Sequence, residues 1–148
     1  MANYLNFPVT NGFAFGGAAK PGLDGDNLIL VGSIASFSIA TTNPTNAATS
    51  KTEITLNIAG TSANADTVVV GVATDSTSTD PAGSAPFIGA RTAAGSAAYN
   101  VLLKKAINKA IGANPGGVIS TVVLPLAQAS SAQYNAANTV YFKDFVVS

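Results

Sequence analysis

Between Thr52 and Ile58 the apolar side chains Ile54, Leu56 and Ile58 alternate with Glu53, Thr55 and Asn57. A period of two is what a half-buried strand requires, because successive side chains leave the pleat on opposite faces. After the turn formers of Gly60 to Ala65 comes Val68-Val69-Val70-Gly71-Val72, which is apolar on both faces and fits a central strand covered from two sides. Together the two segments predict a hairpin.

The rest of the chain supplies more strand signals and one helix. Leu28-Ile29-Leu30-Val31, followed by Ile34, Phe37 and Ile39, reads as one bent strand or two short ones, with Gly32 at the bend. Thr41 to Ser50 and Asp75 to Gly89 are dense in turn formers and read as exposed loops, the second pinned to the fold by Phe87 and Ile88. From about Ala97 to Ile111 the spacing predicts a helix, with Ser96 as N-cap and Gly112 as the stop before Pro115. Its apolar stripe is Tyr99, Leu102, Leu103, Ala106, Ile107 and Ala110, opposed by Lys104, Lys105, Asn108 and Lys109. Val118 to Leu124 and Thr139 to Val147 add two strands. The order strands, helix, strands predicts a mainly β fold, an antiparallel β-sandwich or small barrel with one flanking α-helix.

The chain divides at about Asp26. Residues 1–26 read as an extended arm, with Phe7, Phe13 and Phe15 set among Pro8, Gly12, Gly16, Gly17, Pro21 and Gly22; residues 27–148 read as a single β-rich domain. Aromatic side chains on a Gly-rich arm either dock on a neighbouring subunit or close as a local loop over the core. On the first alternative Phe7, Phe13 and Phe15 are interface residues.

Charge limits the partners. Charged residues are 9% of the 148, and seven basic side chains cancel seven acidic ones. No net field steers this molecule toward nucleic acid or anionic lipid, and a weakly charged surface lacks the repulsion that keeps copies apart. Homo-oligomers with interfaces of about 1,000 Å² or more are the expected outcome. No apolar run reaches the roughly 18 to 20 residues of a membrane helix. Met1-Ala2-Asn3-Tyr4-Leu5 lacks the basic and apolar blocks of a signal peptide.

The chain contains no His and no Cys. With them go the commonest general base, the commonest metal ligand and the thiolate nucleophile, so a non-enzymatic protein without catalytic residues, metal or cofactor is expected. Asp24-Gly25-Asp26-Asn27 resembles the opening of a calcium loop but has no downstream Glu at the required spacing, and reads as an Asp-Gly turn. Gly16-Gly17 and Gly116-Gly117 lack the remainder of any phosphate-binding motif. Lys104, Lys105 and Lys109 form one basic cluster, suited to an acidic partner surface or simply to the negative end of the helix dipole.

The segment Ala97 to Leu124, with Leu102-Leu103-Lys104-Lys105-Ala106-Ile107-Asn108-Lys109-Ala110-Ile111 followed by Asn114-Pro115-Gly116-Gly117-Val118, resembles small virion structural proteins of tailed bacteriophages, marine ones in particular. The resemblance covers about a fifth of the chain and includes no catalytic signature. It implies a β-rich capsid decoration, or cement, protein assembled into the virion in the host cytoplasm. Such a protein sits on the shell lattice, a trimer being one arrangement, and reinforces contacts between major capsid proteins. A tail-tube subunit is a second structural reading, and a secreted adhesin or carbohydrate-binding module is a reading from another class.

Overall fold

The structure, a computed structural model, describes residues 3–10, 25–59, 66–74, 83–113, 118–128, 137–138 and 140–147. The alternating segment forms β4 (Lys51–Ile58), with Thr52, Ile54 and Leu56 buried. The Val-rich segment forms β5 (Asp66–Thr74), antiparallel to β4, with Leu56 opposite Val68 and Ile54 opposite Val70. β3 (Ile34–Thr42) pairs with the free edge of β4 and β9 (Val140–Val147) with that of β5, giving an antiparallel sheet in the order β3-β4-β5-β9.

The second sheet has the order β2-β1-β6, built from β1 (Tyr4–Asn6), β2 (Leu28–Leu30) and β6 (Ile119–Thr121). β1 runs antiparallel to β2 and parallel to β6. The apolar run around Gly32 is therefore two strands in two different sheets, linked by a 3-10 turn at Val31–Ser33. A short pair, β7 (Ala127–Gln128) with β8 (Ala137–Asn138), completes the strands. Among the described residues neither sheet closes on itself, so the architecture is a β-sandwich with one flanking helix.

One core fills the space between the sheets, and residues 3–10 are part of it. Leu5, Phe7 and Val9 are 0%, 0% and 3% exposed, and the Phe7 ring meets Phe142 edge-on at 5.4 Å and Phe145 at 6.4 Å. The reading of Phe7 as an exposed arm residue at a subunit interface is corrected: it lies inside its own domain. The cause is a period of two in Leu5, Phe7 and Val9, with Pro8 sitting harmlessly between the paired N–H groups of Phe7 and Val9, which donate to Asn27 O and Gly25 O. Val9 also bridges to Phe142, so this strand ties the three-stranded sheet to the four-stranded one. Phe13 and Phe15 lie outside the described residues.

The helix, α1 (Ala93–Gly112), starts four residues before the expected Ala97. Thr92, not Ser96, is the N-cap: its Oγ1 accepts from the Gly95 N–H at 3.0 Å, while Ser96 is buried within the helix. Gly95, in the first turn, is required by close approach, because a Cβ there would collide with the Ala90 carbonyl oxygen. The buried stripe is Tyr99, Leu103, Ile107 and Ala110; Leu102, expected in it, is 38% exposed. α1 lies along the flank of the sandwich between β3 and β6. Before it, Phe87 is fully buried under the Arg91 guanidinium and Ile88 packs partly against the core, as the pinned loop end requires.

Two substitutions test this packing. Phe7→Ala is expected to cost about 3–5 kcal/mol in chemical denaturation, the range for emptying a buried aromatic site; a loss well under 1 kcal/mol would mean the ring is not core. Gly95→Ala is expected to cost about 1–3 kcal/mol, since the obstructing atom is backbone and cannot swing aside.

Candidate interaction surface

The register of the β2-β1-β6 sheet sorts its side chains into rows. Leu30, Tyr4 and Ile119 are opposite one another, as are Ile29, Leu5 and Ser120, and Leu28, Asn6 and Thr121. The middle row points into the core and is buried. The other two point away from it: Leu30, Tyr4 and Ile119 are 49%, 38% and 49% exposed and Leu28 is 46% exposed, while Asn6, in the middle of the lower row, is itself buried. A sheet apolar on both faces is normally covered on both faces. Asn6 holds the lower outward row together, its Nδ2 donating to Asp26 Oδ1 at 2.9 Å and Thr121 Oγ1 at 3.2 Å.

Beyond β6 this face continues into a groove of about 450 Å³. Leu102, Lys105 and Lys109 of α1 form one wall, and Thr121, Val123 and Pro125 belong to the other. Val123 is 75% exposed. Pro125 is tied to the core by Tyr99, whose hydroxyl donates to the Pro125 carbonyl oxygen at 2.6 Å. Burial pushes the Tyr99 phenol well above its ordinary value, because the phenolate would have to be desolvated.

The structure divides the predicted lysine cluster. Lys105 and Lys109, one helical turn apart, border this groove, whereas Lys104 faces a different pocket of about 310 Å³ between α1 and β3, lined by Phe37, Ile39 and Val101. All three lysines are exposed.

A third, polar pocket of about 150 Å³ gathers Lys51, Glu53, Lys143 and Asp144 around Gly71. Its carboxylates are engaged structurally. Lys143 is the extra residue of a bulge, and Asp144 Oδ1 accepts the Gly71 N–H at 3.0 Å in place of a ladder carbonyl. Glu53 pairs with Lys51 at 3.2 Å on the solvent-facing side of β4, a contact worth little. Among the described residues no group of three or more metal-ligating carboxylates comes together, and no helix is long and apolar enough to cross a membrane.

Comparison with protein-family models, curated proteins and solved structures finds no match for this chain. The surface residues Tyr4, Leu28, Leu30 and Ile119 escaped the sequence reading, although one signal was present. Leu28-Ile29-Leu30 is apolar at every position in a strand too short to be central, so one of its two faces had to point away from the core.

The Tyr99 phenol gives this region a pH signature. Its folded value lies above the unfolded one, so the contribution is intact below about pH 10 and is lost as pH rises further, by at most about 1.4 kcal/mol per pH unit. Denaturation midpoints followed through alkaline pH are expected to fall accordingly, and Tyr99→Phe is expected to flatten that dependence while costing about 1 kcal/mol at neutral pH.

Proposed function

We propose that this chain is a non-enzymatic structural component of a virus particle, a capsid decoration protein that acts with other copies of itself on the shell lattice and reinforces contacts between major capsid proteins. The observation that carries the reading is the outward row Leu30, Tyr4 and Ile119, an exposed apolar stripe across three paired strands. Exposed apolar patches of several hundred Å² mark binding surfaces, because leaving them in water forfeits roughly 25 cal/mol per Å². Weak surface charge supports it too: with seven acidic and seven basic groups on the whole chain, little must be desolvated when the surface is covered. The resemblance of residues 97–124 to virion proteins suggests the assembly. The lysines on α1 suit an acidic patch of the shell at the rim of the contact, where they set orientation more than affinity.

The test is cosedimentation of the full chain with shells assembled from the major capsid protein of the same virus. Saturable binding at a fixed ratio, with a raised melting temperature of the particle, is the expected result. Failure to bind shells, or stacking of the pure protein into rings and tubes, would overturn the decoration reading, and the latter would point to a tail tube.

A further inference from the structure

We infer that the outward face of the β2-β1-β6 sheet docks a second copy of this chain about a two-fold axis. This rests on the reading that the face is an assembly surface and names its occupant. Leu28, Leu30, Tyr4 and Ile119 present no charged atom, so two such patches meet without repulsion and without burying an unpaired charge. With Val118, Leu102 and Val123 added, the exposed fractions amount to roughly 400 Å² of side-chain surface, taking about 100 Å² for a fully exposed aliphatic side chain and about 200 Å² for Tyr4. That is about half of the roughly 800 Å² per partner of a stable complex, the remainder falling to the polar residues around the patch.

The ends of the face decide between a second copy and an unrelated partner. Exposed Asp26 stands at the β2 end, held to the face by Asn6, and Lys105 and Lys109 stand at the groove end. A two-fold contact must be complementary to itself, and a patch acidic at one end and basic at the other meets that condition. An axis running along the strands between β1 and β6, beside Tyr4, lays β2 of one copy over the groove beyond β6 of the other. It brings Asp26 opposite Lys105 and Lys109 twice per dimer, and it seats Leu28 and Leu30 against Leu102 and Val123.

Sedimentation equilibrium of the full chain is expected to give twice the monomer mass. Leu30→Lys and Ile119→Lys are expected to raise the dimer dissociation constant about 30-fold or more, whereas Val147→Lys, at an exposed apolar residue outside the face, leaves it unchanged. Far-ultraviolet dichroism of each variant checks that it folds. Because the chain has no cysteine, Tyr4→Cys gives an independent reading: mild oxidation is expected to link two copies near the axis, and Val147→Cys is expected not to. A wild-type monomer, a trimer, or a dimer indifferent to both lysine substitutions and unlinked through Tyr4→Cys overturns the inference. A monomer that binds shells and loses them on Leu30→Lys assigns the face to the shell, overturning this inference and leaving the decoration reading in place. A dimer sensitive to Leu30→Lys that ignores shells supports the inference and removes that reading.

Discussion

The contact between Phe7 and the aromatic pair Phe142 and Phe145 holds the two sheets as one body. Phe7 belongs to a strand that pairs with β2 on one side, with β6 on the other, and at Val9 reaches across to β9. A three-stranded sheet of three-residue strands cannot be stable by itself, since so few ladder bonds cannot offset the backbone entropy of forming them. Its stability is borrowed from the larger sheet through Leu5, Phe7, Val9 and Ile29. The outward face exists because the inward face is anchored in this way.

The helix follows from the same arrangement. Tyr99, Leu103 and Ile107 close the side of the sandwich, and polar contacts at its edges set the position: Tyr99 to Pro125, and Asn100 to Thr41, which is itself hydrogen-bonded to Thr52. With these fixed, the exposed flank of α1 and the segment after β6 stand apart, and the groove between them is part of the fold. The surface read as functional is thus made of residues whose neighbours in the sequence are core.

Much of the fold was legible because it rests on local periodicity. The alternation in Thr52 to Ile58, the Val run and the strand near the last residues appear where their patterns put them, as does the helical stripe apart from Leu102. What was misread shares one physical cause, a residue type whose usual role was overridden by a tertiary contact. Pro8 and the surrounding glycines made residues 3–10 look irregular, yet the period of two through Leu5, Phe7 and Val9 was present and Pro8 has no ladder bond to lose. Ser96 read as the N-cap, yet the helix is capped by Thr92 and Gly95 lies in its first turn, where the Ala90 carbonyl leaves no room for a side chain. The candidate surface was less legible than the fold. Whether Leu30 or Ile29 faces water depends on which strands flank β1, and that pairing joins segments more than a hundred residues apart, so no local pattern encodes it.

The parallel pairing of β1 with β6 and the bridge from Val9 to Phe142 also set the order of events on the ribosome. β1 can meet β2 soon after it is made, but its other neighbours, β6 and Phe142 of β9, come more than a hundred residues later. The β4-β5 hairpin can zip early and alone, whereas Leu5, Phe7 and Val9 remain uncovered until synthesis reaches β9, which makes completion of the core a late, long-loop closure of the slow kind. During that interval the nascent chain carries an open hydrophobic strand, a natural substrate for a holding chaperone, and at high expression a point where two unfinished chains can exchange it.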